Sequence, residues 1–126
     1  MSDAIHVRRA TRSDYEPLLD LINAAFFDDR VNTFQERVSH LYTDPAVTTA
    51  HAYLAEAGGR LVGHVGVYPL QLPCGGIEFS AGGIGAVGCI PEIRGHGVMS
   101  ALLPAAIQGM VDAGYDVSVL WGDRTR

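Results

Sequence analysis

The sequence is poor in basic residues, in cysteine and in long apolar runs. Nine basic residues are set against fourteen acidic ones, so the formal net charge is −5. Because the basic residues are scattered, the sequence lacks the basic patch that a nucleic-acid surface needs. No apolar stretch approaches the roughly 20 residues of a membrane-spanning helix, and the N-terminus has no signal-peptide pattern. These absences argue against nucleic-acid and membrane partners, and the acidic balance leans weakly towards a cationic partner such as an amine.

Cysteine is nearly absent, since Cys74 and Cys89 are the only two in the chain. Two thiols make neither a disulfide framework nor a metal site, so we expect no bound metal. The simplest interpretation is a cytoplasmic protein with reduced thiols. The 126 residues suffice for one domain, 1–126, and 48% of them are hydrophobic, which allows a core without covalent cross-links.

The first third of the chain predicts a strand followed by helices. Residues 5–10 alternate between apolar and charged side chains, as in a half-buried strand. Ser13 and Glu16 have the spacing of a capping box, which predicts the start of a helix, and apolar residues continue on one face behind it. A second capping pair within residues 33–36 predicts a short helix that ends before Pro45.

The rest of the chain predicts three strands, a helix and a final strand. The strands are expected at 48–55, 61–69 and 77–90, and a Gly-Gly turn joins the first two as a hairpin. The helix is expected at 98–113 and the last strand at 117–121. The order is β-α-α-β-β-β-α-β, with antiparallel hairpin strands and a right-handed parallel crossover at the end. This order predicts a mixed sheet with helices on its faces, of the α/β or α+β class.

The helix at 98–113 shows a clear apolar face. Pro104 falls on the opposite stripe, where solvent makes its missing hydrogen bond tolerable, and Gly114 is the expected C-cap. The predicted apolar face comprises Met99, Leu102, Leu103, Ala106, Ile107 and Met110.

The junction between the third strand and this helix has the features of an anion site. Residues 91–103 read PEIRGHGVMSALL, so an Arg-Gly-X-Gly turn leads directly into the helix. The first N–H groups of a helix have no internal partners, and the glycines allow a phosphate to approach the backbone. The alternative is a plain turn, which such a short pattern more often marks. The sequence matches neither a P-loop nor the dinucleotide-binding fingerprint.

Residues 83–103 (GIGAVGCIPEIRGHGVMSALL) resemble motif A of the GNAT superfamily, the GCN5-related N-acetyltransferases. The core of that motif, [Q/R]-x-x-G-x-[G/A], corresponds to Arg94 through Met99, and Met99 departs from the pattern because it replaces Gly or Ala. The order of elements also matches, so the resemblance covers essentially the whole chain. The segment GYDVSVLWGDRTR is similar to the Eis-type (enhanced intracellular survival) branch.

The resemblance implies acetyl-CoA as co-substrate and direct acyl transfer to a primary amine. By match, the pantetheine arm would pair with the strand at Val87, Gly88 and Cys89, and backbone donors near Val87 would polarise the thioester. Cys89 is expected to act as a small buried hydrophobic residue and not as an acyl carrier. The diphosphate is expected on the turn formed by Arg94, Gly95, His96, Gly97, Val98 and Met99.

The acceptor side is less well defined. In the resembled family the loop after the first helix lines the acceptor pocket, which suggests Phe26 and Phe27 as walls and Asp28 and Asp29 as attractors of an ammonium group. The alternative is that Phe26 belongs to the core and the aspartates to a solvated loop. His64, Tyr68 and Glu78 are the candidates for a general base, and none is preferred.

A complete GNAT domain continues after the fifth strand with a helix and two more strands, so the chain resembles the N-terminal part of such a domain and is expected to be a fragment. The strand at 117–121 would then be an apolar edge, which predicts self-association. Two functions are open. One is an N-acetyltransferase acting on a small-molecule or peptide amine, and the other is a non-catalytic CoA-binding or interaction module.

Overall fold

The computed structural model describes residues 4–27 and 44–120. Short 3-10 turns at Arg12–Asp14 and Pro91–Ile93 precede two of the helices. We number the elements in chain order as β1 His6–Arg9, α1 Tyr15–Phe27, α2 Pro45–Ala50, β2 Ala52–Ala57, β3 Arg60–Cys74, β4 Ile77–Cys89, α3 Val98–Ala113 and β5 Val117–Leu120.

The described strands form one mixed sheet in the order β1-β2-β3-β4-β5. The first four strands are antiparallel neighbours. After β4 the chain crosses through α3 and returns as β5, which runs parallel to β4 with Ala81 opposite Val117 and Ile84 opposite Leu120. The mixed sheet and the parallel crossover connection confirm the predicted architecture.

Helices cover both faces of the sheet at β2 and β3. Consecutive residues of these strands point to opposite faces, yet nearly all of β2 and residues 62–68 of β3 are buried. Helix α3 packs against β2 and β3, and α1 packs against β3 and β4. The core therefore lies in two layers, with Leu54 and Val62 among its fully buried side chains.

The segment before β2 differs from the prediction. Residues 45–50 form helix α2, so the strand begins at Ala52 and not at Thr48. The Asp44 carboxylate accepts a hydrogen bond from the Ala46 N–H at 3.0 Å, and Pro45 occupies the first turn. An N-cap followed by proline outweighs the β-branched residues of this segment because the cap satisfies a backbone donor.

The start of α1 also differs. Ser13 and Glu16 are both exposed, and the helix is preceded by a 3-10 turn. The reciprocal contact joins Thr11 to Asp14, whose carboxylate accepts from the Thr11 N–H at 2.7 Å and from its hydroxyl at 3.0 Å. The predicted box was therefore displaced by two residues. The second predicted box, at 33–36, lies outside the described residues.

Helix α3 follows the prediction closely, with one exception. Pro104 is exposed on the outer stripe, and Gly114 ends the helix in the left-handed region with φ +79°. Ile107 was assigned to the apolar face but is 51% exposed, whereas Val98, not assigned, is 3% exposed. The sheet reaches only part of the apolar stripe, so its outer margin stays in solvent.

Candidate functional site

The turn that leads into α3 has two glycines in a left-handed backbone conformation. Gly95 has φ +83° and Gly97, the N-cap residue of α3, has φ +86°. A Cβ atom built on either glycine would meet no atom within 4 Å. The glycines are thus required by backbone conformation, and the space above the turn is open to a ligand.

Most backbone N–H groups of this turn have no acceptor among the described residues. The N–H groups of Arg94 and His96 are engaged inside the turn, with the carbonyls of Pro91 at 3.3 Å and Ile93 at 3.1 Å. The backbone donors of these two residues are therefore occupied, and their side chains are exposed. The donors without an acceptor among the described residues are the N–H groups of Gly95, Gly97, Val98, Met99 and Ser100.

These donors lie at the N-terminus of α3, a position that favours anions. A helix N-terminus carries partial positive charge and unpaired donors, both of which favour a phosphate group. The Arg94 side chain adds a positive charge close enough to Cys89 to act on the pKa of that thiol. Burial nevertheless raises the Cys89 pKa overall, which fits a packing role and not a nucleophilic one.

The position of this terminus is fixed by a glycine on β3. A side chain at Gly63 would collide with Val98 and Leu102, so only glycine allows the first turn of α3 to lie directly on the strand. Val98 and Leu102 are buried in that contact. Met99 follows Val98 and is half-buried against the core. Where the motif has Gly or Ala, Met99 thus adds a larger side chain at the start of a helix that is closely packed on β3.

Strand β4 carries a bulge beside this terminus. His64 pairs with Gly88 and Gly66 pairs with Gly85, so Ala86 and Val87 together oppose the single residue Val65. Ala86 has φ +50°, the only positive φ of a non-glycine residue in the described ranges. A bulge of this kind changes the direction of the backbone groups that follow it.

His64 contacts the bulge from inside the protein. The side chain is fully buried, and its Nδ1 lies 2.8 Å from the Ala86 carbonyl oxygen. Because a carbonyl can only accept, Nδ1 carries the proton. Burial lowers the His64 pKa to about 4, so the ring is neutral at pH 7. A buried ring with so low a pKa is a poor general base, so a structural role suits His64 better.

The other candidates for acid–base or acceptor roles differ in position. The Tyr68 ring lies beside the bulge, since a Cβ atom built on Gly85 would fall 3.5 Å from it. Tyr68 is buried, with its ring 5.6 Å from the ring of His51. Glu78 is exposed near the tip of the β3–β4 hairpin, roughly 30 Å along the strand from Gly88. Asp28 and Asp29, together with the side chains of Phe26 and Phe27, lie outside the described residues.

The bulge and its contact with His64 were not predicted from the sequence. The signal that was available is the density of glycines in β4, since glycine inside a strand often marks a bulge. The pairing of His64 with Ala86 was not accessible, because it depends on the register between two strands. Among the described residues, no three histidine, cysteine, aspartate or glutamate side chains come together as metal ligands, and no helix there is long and apolar enough to cross a bilayer.

The strand–turn–helix junction and the element order define the class of protein. The model of the acetyltransferase (GNAT) domain family matches residues 6–126. The chain therefore belongs to the GNAT acetyltransferase family. A comparison with curated proteins gave no match.

Solved structures show the same fold. A GCN5-related N-acetyltransferase from Kribbella flavida is 22% identical with a TM-score of 0.80, over 98% of this chain and 31% of that one. A GNAT family acetyltransferase from Brucella melitensis, in complex with acetyl-CoA, is 25% identical with a TM-score of 0.74, over 96% and 77%. A ribosomal-protein-alanine N-acetyltransferase from Brucella melitensis biovar Abortus 2308 is 24% identical with a TM-score of 0.68, over 96% and 82%. This chain spans 29–31% of the length of the longer structures, which include the Kribbella protein.

Proposed function

We propose that this chain is an acetyl-CoA-dependent N-acetyltransferase that moves an acyl group from CoA to a primary amine. The observation that carries the proposal is the set of N–H groups at the start of α3 that have no acceptor in residues 4–27 and 44–120, next to the two left-handed glycines. A diphosphate is the ligand class that such a terminus prefers. The exposed Arg94 guanidinium supplies a charge at the same place.

The pantetheine arm is proposed to lie along the end of β4. In the described part of the chain, β5 pairs with β4 only over Ala81–Ile84. On that side the backbone of Val87, Gly88 and Cys89 pairs with no described strand, and we place there an extended ligand that pairs like an added strand. The pantetheine arm would then lie beside the end of β4, and the diphosphate would lie at the turn before α3.

The proposed chemistry is direct transfer. The amine nitrogen attacks the thioester carbonyl and forms a tetrahedral oxyanion. The carbonyl then re-forms as the C–S bond breaks, and the CoA thiolate that leaves takes up, directly or through solvent, the proton that the nitrogen loses. Backbone N–H groups near Val87 would stabilise the oxyanion. The raised pKa of Cys89 supports a route without an acyl-cysteine.

The acceptor is proposed to be an amine on a small molecule or a peptide, in the Eis-type branch of the family. Support comes from the acidic net charge of −5 and, for the branch, from the segment GYDVSVLWGDRTR. The second candidate is a non-catalytic CoA-binding module, which the bulk of Met99 favours. Both candidates keep the cofactor on the same turn. We further propose a cytoplasmic location.

Titration of acetyl-CoA into two alanine variants tests the cofactor site. Gly97→Ala and Gly76→Ala introduce the same side chain at nearly the same φ, +86° and +83°, and both have open space around the new Cβ. The backbone strain is about 1–2 kcal/mol in each. We expect acetyl-CoA affinity to fall at least tenfold in Gly97→Ala only, measured by calorimetry.

Equal affinities in the two variants and the wild type would contradict the proposal, because the α3 turn would then not hold the ligand. An amine screen separates the two candidate functions once binding is established. All nine basic residues are arginines, so the protein has no lysine of its own to be acetylated in such a screen. Product formed on an added amine supports the enzyme, and binding without any product supports the module.

We also propose that the chain self-associates through β5. Among the described strands, β5 pairs on one side only. Val117 is 43% and Leu120 is 67% exposed on this edge. An apolar strand with an unpaired edge is a template for a second chain.

A further inference from the structure

We propose that His64 is a positioning residue that fixes the direction of the Val87 N–H group. It would do so by holding the Ala86 carbonyl from inside the protein. The proposal rests on the proposed function, because Val87 is where the thioester of acetyl-CoA is expected. The inference concerns a side chain that touches neither cofactor nor acceptor and acts only through the backbone of β4.

The first step is the strain at Ala86. A non-glycine residue in the left-handed region costs about 1–2 kcal/mol. Ala86 adopts φ +50° inside a strand, where an extended conformation would satisfy the ladder. Such a conformation persists only where the surroundings hold it in place.

The second step is the contact that holds it. His64 Nδ1 donates to the Ala86 carbonyl at 2.8 Å. The other ring nitrogen, Nε2, is buried and has no hydrogen-bond partner within the described residues. Burying a polar atom without a hydrogen bond costs free energy, and an apolar side chain of similar volume would avoid that cost. The property that His64 adds, and that an apolar residue could not, is the N–H donor to Ala86.

The third step links this contact to Val87. The carbonyl of Ala86 and the N–H of Val87 belong to one planar peptide unit, and in a trans peptide they point in opposite directions. No peptide bond in the described structure is cis. Because His64 lies in the interior and draws the carbonyl towards it, the Val87 N–H is directed away from His64. That donor is the one proposed for the oxyanion.

The experiment compares His64→Leu with His64→Asn. The two side chains have similar shapes, but only asparagine keeps an N–H donor close to the Nδ1 position. Two probes are titrated by calorimetry, acetyl-CoA and ADP, since ADP carries a diphosphate without the pantetheine arm. Amide NMR of the unliganded protein reports the Ala86 and Val87 shifts and the Val87 exchange rate. Urea unfolding checks that each variant folds, and His64→Met, which also has no N–H donor, replaces the leucine variant if leucine does not fold.

We expect His64→Leu to weaken acetyl-CoA at least tenfold while ADP affinity changes less than twofold. In the same variant the Val87 amide shifts and exchanges faster. We expect His64→Asn to stay within threefold of the wild type for both probes. Adding Ala86→Gly to His64→Leu should recover part of the lost affinity, because glycine adopts the left-handed conformation without a clamp.

Three results would overturn the proposal. These are unchanged acetyl-CoA affinity in His64→Leu, equal losses in the leucine and asparagine variants, and unchanged Ala86 and Val87 shifts in His64→Leu. A wild type that binds neither probe would instead overturn the proposed function. The NMR comparison would then still decide whether His64 holds the bulge.

Discussion

Two residues at the candidate site occupy a conformation or an environment that costs free energy. Ala86 is a left-handed residue with a Cβ atom, and His64 is a fully buried polar side chain. Costs of this kind gather where geometry serves function. In this chain both lie at the bulge of β4, a few residues before the turn that leads into α3.

The buried His64 predicts a loss of stability in mild acid. Its pKa is lowered to about 4 in the folded protein from 6.5, so the unfolded chain binds a proton that the folded chain does not. The stabilisation is present above pH 6.5 and is lost as the pH falls towards 4. Between pH 7 and pH 5 we expect the free energy of unfolding to fall by about 2 kcal/mol from this residue, measured by urea unfolding.

The control for this prediction is His64→Asn, which does not titrate in this range. His51 also has a lowered pKa, from burial and from Arg9, so only the difference between wild type and variant reports on His64. A variant that loses as much stability as the wild type between pH 7 and pH 5 would contradict the prediction.

A second loss is predicted in stronger acid from Asp14. The hydrogen-bonded Arg8 guanidinium holds the pKa of this carboxyl well below its ordinary 3.8. The stabilisation is therefore present above pH 3.8 and is lost as the pH falls below it. Arg8→Ala should destabilise the protein at pH 7, and the gap to the wild type should narrow below pH 4. A gap that is independent of pH would mean that Arg8 acts through packing alone.

At the scale of elements, the seat of α3 on β3 is the feature that places the turn. Gly63→Ala would collide with Val98 and Leu102 at the start of the helix, and Gly82→Ala would collide with Met110 near its end. Overpacking of this kind costs about 1–3 kcal/mol. We expect both variants to be less stable, but only Gly63→Ala to weaken acetyl-CoA binding, by about tenfold. Urea unfolding and calorimetry measure the two effects.

Similar acetyl-CoA affinities in the two variants would show that the packing of the start of α3 on β3 does not determine the ligand site. Loss of affinity in Gly82→Ala alone would place the ligand at the opposite end of α3, against the account.

Periodicity predicted most of these elements, because burial of one face leaves a direct trace in the sequence. The pattern was misleading at residues 45–50, where Val47, Thr48 and Thr49 favour a strand and the preceding Asp44 cap favours a helix. It also placed Ile107 inside, although amphipathicity alone does not define how wide a stripe the sheet covers.

Part of the candidate site could likewise be predicted from the sequence, and part could not. The Arg-Gly-X-Gly turn is local, so its residues could be predicted from adjacent letters, and the structure adds that Gly97 is left-handed. The hydrogen bond between His64 and the Ala86 carbonyl joins two strands and depends on a shift in their register. Sequence patterns of period two do not contain such a shift, and that part of the site needed the structure.

At the scale of the whole molecule, the edge of β5 that pairs with no described strand predicts association. We expect light scattering to give a mean mass above that of one chain, rising with concentration, and Leu120→Lys to lower it, because a charge on an edge strand opposes pairing. Leu120 is 67% exposed, so the change should leave the stability of the single chain nearly intact. A monomer at all concentrations would contradict the proposal.

The most direct test of the account is an amide NMR map of the wild-type protein titrated with acetyl-CoA. We expect the largest shifts on two segments, Val87 to Cys89 and Gly95 to Ser100, with Val98 and Met99 among them. ADP should move only the second segment. We propose that the start of α3 and the bulge of β4 form one acyl-CoA site. Two results would contradict this: saturable shifts centred elsewhere, or no shifts at a large molar excess of acetyl-CoA.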